Sequence, residues 1–339
     1  MNDPTSPLGV GVVGLGVGEQ HARGFAADGR TRLNWLHDFE SEKAAELARA
    51  IGQGDVAETY EQLLDDAATP VVSIASYDHL HYEQVLAALG AGKHVFVEKP
   101  LCRTLEELSA LVAAWQAAGR PCLASNLVLR EADVYRWLRE AIDEGRLGRV
   151  YAIDGDYLYG RLTKITEGWR KDVPDYSVME GGGVHLIDLM MTLARERPAR
   201  VATHGNRLTT EGTDFRYDDF MAATFTFPSG LIGRITANFA CVHRHHHVLR
   251  VFGTEATFIY DDQGPRLHES RNEAKVAEML DLKTLPDGKA VLIPAFIDAI
   301  MDGDDALPMA GREFDLISAI AASDRALAEG RELEIEYLT

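Results

Sequence analysis

The chain has 339 residues, enough for two domains of ordinary size, and its 46% hydrophobic and 26% charged residues are the balance of a globular protein. A formal charge of −19 argues against nucleic acid or an anionic membrane surface as partner, and leaves room only for a local basic pocket facing a small anion. Cys102, Cys122 and Cys241 are too scattered for a disulfide framework or a zinc pattern, no apolar run is long enough to span a bilayer, and the polar start MNDPTSPLG carries no apolar signal region, so a cytoplasmic protein is expected.

Up to about Asn126, short β-rich runs (LGVGVV, LNWLHD, VVSIAS, HVFVEK and CLASN) alternate with segments whose apolar residues recur at three- and four-residue steps, most of them ending in glycine. Such alternation predicts a parallel sheet with right-handed helical crossovers. The segment EADVYRWLREAIDEGRLG reads as a linking helix. From Val150 the pattern changes: RVYAIDGDYLYG alternates as a half-exposed strand should, and FMAATFTFPSGLIGRITANFA reads as a hairpin turning at Pro228-Ser229-Gly230. HHHVLRVFGTEATFIY reads as a second strand pair; the helices GGVHLIDLMMTLA, PAFIDAIMDG and REFDLISAIAASDRALAEG are expected to cover one face.

The stretch GVGVVGLGVGEQH matches G-x-G-x-x-G at Gly9, Gly11 and Gly14, but Gly9 and Gly11 fall inside the first strand. A phosphate-binding turn must follow a strand and open a helix, so that its backbone and the helix N-terminus can meet a pyrophosphate. Gly14, Gly16 and Gly18 satisfy that requirement, one residue tighter than the usual fingerprint. Asp38 ends the second strand, 24 positions after Gly14, where an acid can accept hydrogen bonds from an adenosine ribose. Its carboxylate would repel a 2′-phosphate, and Phe39-Glu40 supply no arginine to offset that, so NAD is favoured over NADP. A solvated Asp38 capping the next helix is the plain alternative.

Lys99 ends an apolar strand, on the sheet edge where ligands bind; it can donate to a substrate hydroxyl or simply pair with Glu98. Taken together, GLGVGEQHA, SYDHLHYEQVLAALGAGKHVFVEKPL and GGGVHLIDL resemble the Gfo/Idh/MocA oxidoreductases, over nearly the whole chain. The resemblance implies an α/β protein with a Rossmann dinucleotide-binding domain at 1–126. An α+β domain at 127–339, with a large, mostly antiparallel open sheet, would follow and serve substrate binding and assembly into a homodimer or homotetramer. It implies NAD(P) and hydride transfer at a sugar or polyol carbon. Lys99 matches the family's catalytic lysine, before a proline bond that is often cis in such proteins. Val17, Ser76, His79, His81 and Glu98 join Gly14, Gly16, Gly18, Asp38 and Lys99 as expected cofactor contacts, although His79 and His81 could equally cap a helix start.

His185 is the second matched position, a neutral imidazole able to take a hydroxyl proton as hydride leaves. Asp188, three residues on, shares its helix face and could orient it. The chain departs from many relatives at Gly181, where they carry an Asp four residues before this histidine; either Glu180 substitutes, or Lys99 and His185 work without a third acid. Residues 154–177 gather Tyr157, Tyr159, Arg161, Lys164, Trp169, Arg170, Lys171 and Tyr176, cationic and aromatic groups suited to an anionic sugar, unless they pair internally with Asp154, Asp156, Glu167 and Asp172. Asn126 and Arg130 are expected at the substrate by the same resemblance. HRHHH would put His243, His245 and His247 on one strand face with His246 opposite; no metal is expected there. Two other readings stand beside a dehydrogenase: an NAD-retaining glycoside hydrolase or lyase that uses transient oxidation, and a non-catalytic sugar or nucleotide sensor.

Overall fold

In the computed structural model, which describes residues 6–338, the first apolar run becomes β1 (Leu8–Val13), all but one of its residues buried. There follow α1 (Gly18–Ala27), β2 (Thr31–His37), α2 (Ser41–Ile51), β3 (Asp55–Val56), α3 (Tyr60–Asp65), β4 (Val71–Ile74), α4 (His81–Gly90), β5 (His94–Val97), α5 (Leu105–Ala117) and β6 (Leu123–Ser125). The strands form one six-stranded sheet in the order β3-β2-β1-β4-β5-β6, and every pairing in it is parallel. Strands buried on both faces explain the near-continuous apolar runs VVSI and HVFV. The helices start where their caps allow: Thr104 and Glu107 close a reciprocal capping box on α5. The short β3 and α3 are new relative to the sequence pattern, because two residues of pairing leave no periodic signal.

The next compact unit begins at Leu129 and runs to Leu285, resuming at Ser318–Tyr337. It contains α6 (Asp133–Asp143), β7 (Val150–Leu158), the single turn α7 (Thr163–Thr166), α8 (Val184–Ala194), β8 (Arg200–Asn206), β9 (Phe220–Thr226), β10 (Ile232–Asn238), β11 (His246–Gly253), β12 (Thr257–Asp261), β13 (Gly264–His268) and β14 (Glu278–Met279). With β15 (Leu333–Glu334), which follows the helices α9 (Ile293–Asp302) and α10 (Leu307–Glu329), these strands build a nine-stranded sheet in the order β14-β13-β12-β11-β7-β10-β9-β8-β15. All its pairings are antiparallel except β7 with β10. Helix α8 packs on β7 and β10, and its residues Val184–Met190 are all buried. The other sheet face carries ion pairs instead: Asp154 with Arg234 at 2.9 Å and Asp156 with Arg250 at 3.0 Å.

The second unit opens at Leu129, and Pro286–Ile317 packs with the first unit. Amphipathic periodicity shows that α9 must bury a face but not against what. Phe296 on α9 lies 5.4 Å from the ring of Phe96 on β5, in a core that also holds Phe25 and Phe314. Truncating that anchor, Phe296→Ala, should cost about 3–5 kcal/mol of stability by loss of buried area and opening of a cavity. Urea unfolding checks this, and a loss under about 1 kcal/mol would show that the returning segment is not part of the core.

Candidate active site

The turn after β1 has the geometry a phosphate needs. Gly14 has φ +79°, and a Cβ added there would stand 2.6 Å from the backbone of Ala75 and Ser76, so no other residue fits without moving the β4 end. Gly16 has nothing within 4 Å of where its Cβ would be, an open approach to the backbone. Val17, half-open to solvent, precedes α1 with no side-chain cap, so the first amides of α1 are not claimed by one. Asp38 stands beside this turn: its Oδ2 accepts from the Leu15 amide at 2.6 Å and its Oδ1 from the Glu40 amide at 3.1 Å. Each carboxylate oxygen can accept again, so the geometry leaves Asp38 able to take ribose hydroxyls. Lys43 lies 3.6 Å from it, the nearby cation that Phe39-Glu40 do not supply.

Strand β5 delivers Glu98 and Lys99 to the carboxyl edge of the same sheet. Glu98 is buried, its Oε1 receiving Asn126 Nδ2 at 2.8 Å and lying 3.2 Å from His21 Nε2. His21, fully buried on α1, turns its Nδ1 to Ser73 Oγ at 2.9 Å, and Asn126 also donates to the Lys289 carbonyl at 2.8 Å. Burial alone pushes the Glu98 carboxyl up, but the hydrogen bond and charge of His21, the charge of Lys99 and the Asn126 amide outweigh it and hold the carboxyl at about 2. The Lys99 amide donates to Glu98 Oε2 at 3.3 Å, and the Lys99-Pro100 bond is cis. Asn126, expected at the substrate, is thus bound into this buried network, because its amide nitrogen finds two acceptors there. Nothing in the sequence pattern marked His21 or Ser73, whose partners lie 52 and 77 positions apart along the chain.

The turn after β4 is tied to the same edge. His81 is fully buried, with Nδ1 2.7 Å from the Pro100 carbonyl and Nε2 3.2 Å from the Ser76 carbonyl. Both ring nitrogens face backbone, which makes His81 a brace between two turns rather than the cofactor contact expected. His79 stacks on Tyr77 at 6.1 Å, and burial, with Arg103 nearby, lowers its pKa. The Ser76 hydroxyl is hydrogen-bonded to Gln84.

In the second unit, one wide helical turn at Met179–Gly183 leads into α8 and His185. Such turns are frequent at functional sites. His185 is buried, and Tyr157 of β7 stacks on it at 6.3 Å. Asp188 does not orient it: Arg130 forks onto both Asp188 oxygens, Nε to Oδ2 at 2.9 Å and Nη2 to Oδ1 at 2.6 Å, and both residues are buried. Arg130, expected at the substrate, has its charge met by this carboxylate, since a planar guanidinium matches a carboxylate better than an imidazole one helical turn away can. Glu180 is buried in the wide turn.

Part of the cationic and aromatic segment gathers around Tyr159. Arg161 lies 5.4 Å and Arg170 5.9 Å from the Tyr159 ring, and Arg170 lies 4.5 Å from that of Trp169. Asp154 and Asp156 turn to Arg234 and Arg250, and Lys171 takes Asp172 and Asp214. Arg161 and Lys164, both exposed, meet no carboxylate among the described residues. Strand β11 starts only at His246, which alters the expected histidine face: His245 and His247 both border Tyr157, while His243 sits 5.9 Å from His246.

With this geometry in view, two family models match the chain: an oxidoreductase family with an NAD-binding Rossmann fold over residues 8–125, and the GFO/IDH/MocA C-terminal domain over residues 135–259. A 1,5-anhydro-D-fructose reductase from Ensifer adhaerens is 33% identical over 230 residues, 65% of each chain, slightly under two thirds of that relative's length. A levoglucosan dehydrogenase from Pseudarthrobacter phenanthrenivorans is 27% identical over 311 residues, 80% of this chain and 76% of the relative. A solved levoglucosan dehydrogenase in complex with NADH superposes with a TM-score of 0.85 at 22% identity, covering 98% of this chain and all of the other, a likeness of fold.

The Arg130–Asp188 pair is open to a direct check. Asp188→Ala strands a buried guanidinium and should cost about 3–5 kcal/mol in urea unfolding, whereas Arg130→Met with Asp188→Leu should cost clearly less. Equal losses for the two variants would show that packing rather than the charge pair matters here.

Proposed function

The chain belongs to the Gfo/Idh/MocA family of oxidoreductases, its first unit carrying the family's NAD-binding Rossmann fold, and from that premise we propose that it oxidises a secondary alcohol of a sugar or polyol, or reduces the matching ketone. The observation that carries this reading is the crowding of one sheet edge. A glycine turn only glycine can make, an acid beside it, and a lysine delivered by β5 all stand at the carboxyl ends of the parallel strands. The residues fit NAD: Gly14–Gly18 and the α1 N-terminus would hold its pyrophosphate, and Asp38 its adenosine ribose. When bound, NAD supplies the acceptor for hydride leaving the alcohol carbon.

In this reading Lys99 holds and polarises the reacting oxygen, and His185 takes the hydroxyl proton as the carbon loses hydride. The hydroxyl proton would then rest on the His185 imidazole. Arg161 and Lys164, unmatched by acids in so acidic a chain, favour a substrate that carries a carboxylate or phosphate as well as hydroxyls. Trp169 and Arg170 complete that rim. Retention of a lysine and a histidine suited to proton work speaks for turnover over mere sensing.

Reduction of NAD measured across polyols, aldoses, sugar acids and nucleotide sugars tests the function. NADH should accumulate with at least one class. A flat trace accompanied by sugar cleavage would replace the reading with the hydrolase or lyase one. Lys99→Met should lower turnover by about 10²–10⁴-fold with NAD binding, followed by fluorescence titration, largely kept. Normal turnover in that variant would overturn the assignment of Lys99.

A further inference from the structure

We infer that His21 is a positioning residue for Lys99 that acts through Glu98; this rests on the function proposed above. The hydrogen count around Asn126 fixes what His21 donates. The Asn126 amide nitrogen lies 2.8 Å from Glu98 Oε1, 2.8 Å from the Lys289 carbonyl and 2.9 Å from His21 Nε2, three acceptors for two hydrogens. A bare Nε2 would also turn its lone pair on Glu98 Oε1 at 3.2 Å. Both conflicts end when Nε2 carries a hydrogen and gives it to Glu98, leaving the Asn126 hydrogens to the two oxygens. Nδ1 then faces Ser73 Oγ at 2.9 Å, a hydroxyl that can accept from it or donate to it and so holds the ring in place in either charge state. His21 is fully buried, edge-on to Phe96 at 5.3 Å, and can touch neither substrate nor cofactor. Any effect it has on the chemistry passes through the carboxylate.

That carboxylate holds an N–H beyond the end of the strand. The Glu98 amide still donates to the Ile74 carbonyl at 2.7 Å, continuing the pairing of β4 with β5. The next amide, of Lys99, turns to Glu98 Oε2 at 3.3 Å, and the residue after it is a proline with no N–H to give. Lys99 is thus tied by a side chain where strand pairing has ended. Oε2 can serve it because Oε1 takes His21 and Asn126. Charge works with this geometry: the His21 hydrogen bond and the positive charge of Lys99 both favour the ionised carboxyl, against the burial that opposes it. Without the imidazole, a buried carboxylate short of donors takes up a proton. A protonated Glu98 no longer balances the lysine and is a weaker acceptor for its amide.

The test is a double-mutant cycle between His21→Leu and Glu98→Gln, assayed with the best sugar or polyol from the substrate screen. His21→Leu should lower kcat at least about tenfold, the cost of a misplaced catalytic group, with substrate KM within about threefold. His21→Gln, whose amide can donate in place of Nε2–H, should restore kcat to within about threefold of wild type. In the Glu98→Gln background, where no charge needs a donor, adding His21→Leu should lower kcat by less than about twofold. A merely structural His21 would instead give losses that multiply in the double variant, and that result overturns the inference. So does a kcat within about threefold of wild type in His21→Leu, or a folded His21→Gln as impaired as His21→Leu. If His21→Leu alone is too unstable to assay, Glu98→Gln with and without it decides by the same criterion. A readout free of substrate accompanies the cycle: the carbon-13 carboxyl signal of Glu98 should titrate at higher pH in His21→Leu than in wild type, and return in His21→Gln. Wild-type inactivity on every sugar and polyol would bring down the function, and with it the role of Lys99. Wild-type turnover with an unmoved Glu98 signal in His21→Leu removes the role of His21 alone.

Discussion

An ionised carboxylate buried beneath the carboxyl ends of the parallel strands is the constraint around which the first unit is arranged. Glu98 is the last residue before Lys99, and its charge is affordable only because His21, Asn126 and Lys99 surround it. Those partners come from α1, the end of β6 and the end of β5. Ser73 of β4 and the Lys289 carbonyl extend the network one step further. The same carboxylate therefore connects the helix that opens the glycine turn with the strand that delivers the lysine. A shift in either would leave a charge without its counter-donors in a low dielectric, which is why the edge is rigid where chemistry is proposed.

The second unit uses a different device. Its sheet buries the apolar helix α8 almost all round. Asp188 is committed to Arg130, which fixes the helix near its middle. Asp188 therefore does not pair with His185, on whose ring Tyr157 stacks, with the His247 ring at 6.1 Å. The wide turn before α8, with its consecutive glycines, then decides which side chains can reach the start of the helix.

Much of this was legible in residue order. The strand–helix alternation, the register of the glycine turn and the run ending at Lys99 are local patterns, and β1, β5 and α2 fall where periodicity placed them. The match of both halves to the Gfo/Idh/MocA models agrees with the motifs around Gly14, Lys99 and His185. What could not be read were pairings distant in sequence. Arg130 and Asp188 are 58 positions apart and each has a plausible local role, so spacing assigned Asp188 to His185 and the family resemblance put Arg130 at the substrate. His21 looks like any polar residue of an amphipathic helix until Ser73 and Glu98 are brought to it. The return of Pro286–Ile317 to the first unit was hidden because an apolar helix face says nothing of its partner. Position 181 was ambiguous for the same reason, as a glycine does not reveal what fills its space.

The central claim is that Glu98 remains a charged group inside the protein, and its titration is the most direct measure. Burial alone would raise the carboxyl above its ordinary 4.5; its partners bring it to about 2. A depressed carboxylate contributes stability that is fully present above the unfolded value and is lost as pH falls from there through the folded one. Carbon-13 NMR of glutamate-labelled protein, with the Glu98 signal assigned by its absence in Glu98→Gln, should show a carboxylate shift still ionised when the remaining glutamates have titrated. A Glu98 signal that titrates with the others, or above them, would mean that His21 and Asn126 do not hold the charge, and the account of how Lys99 is placed would be wrong.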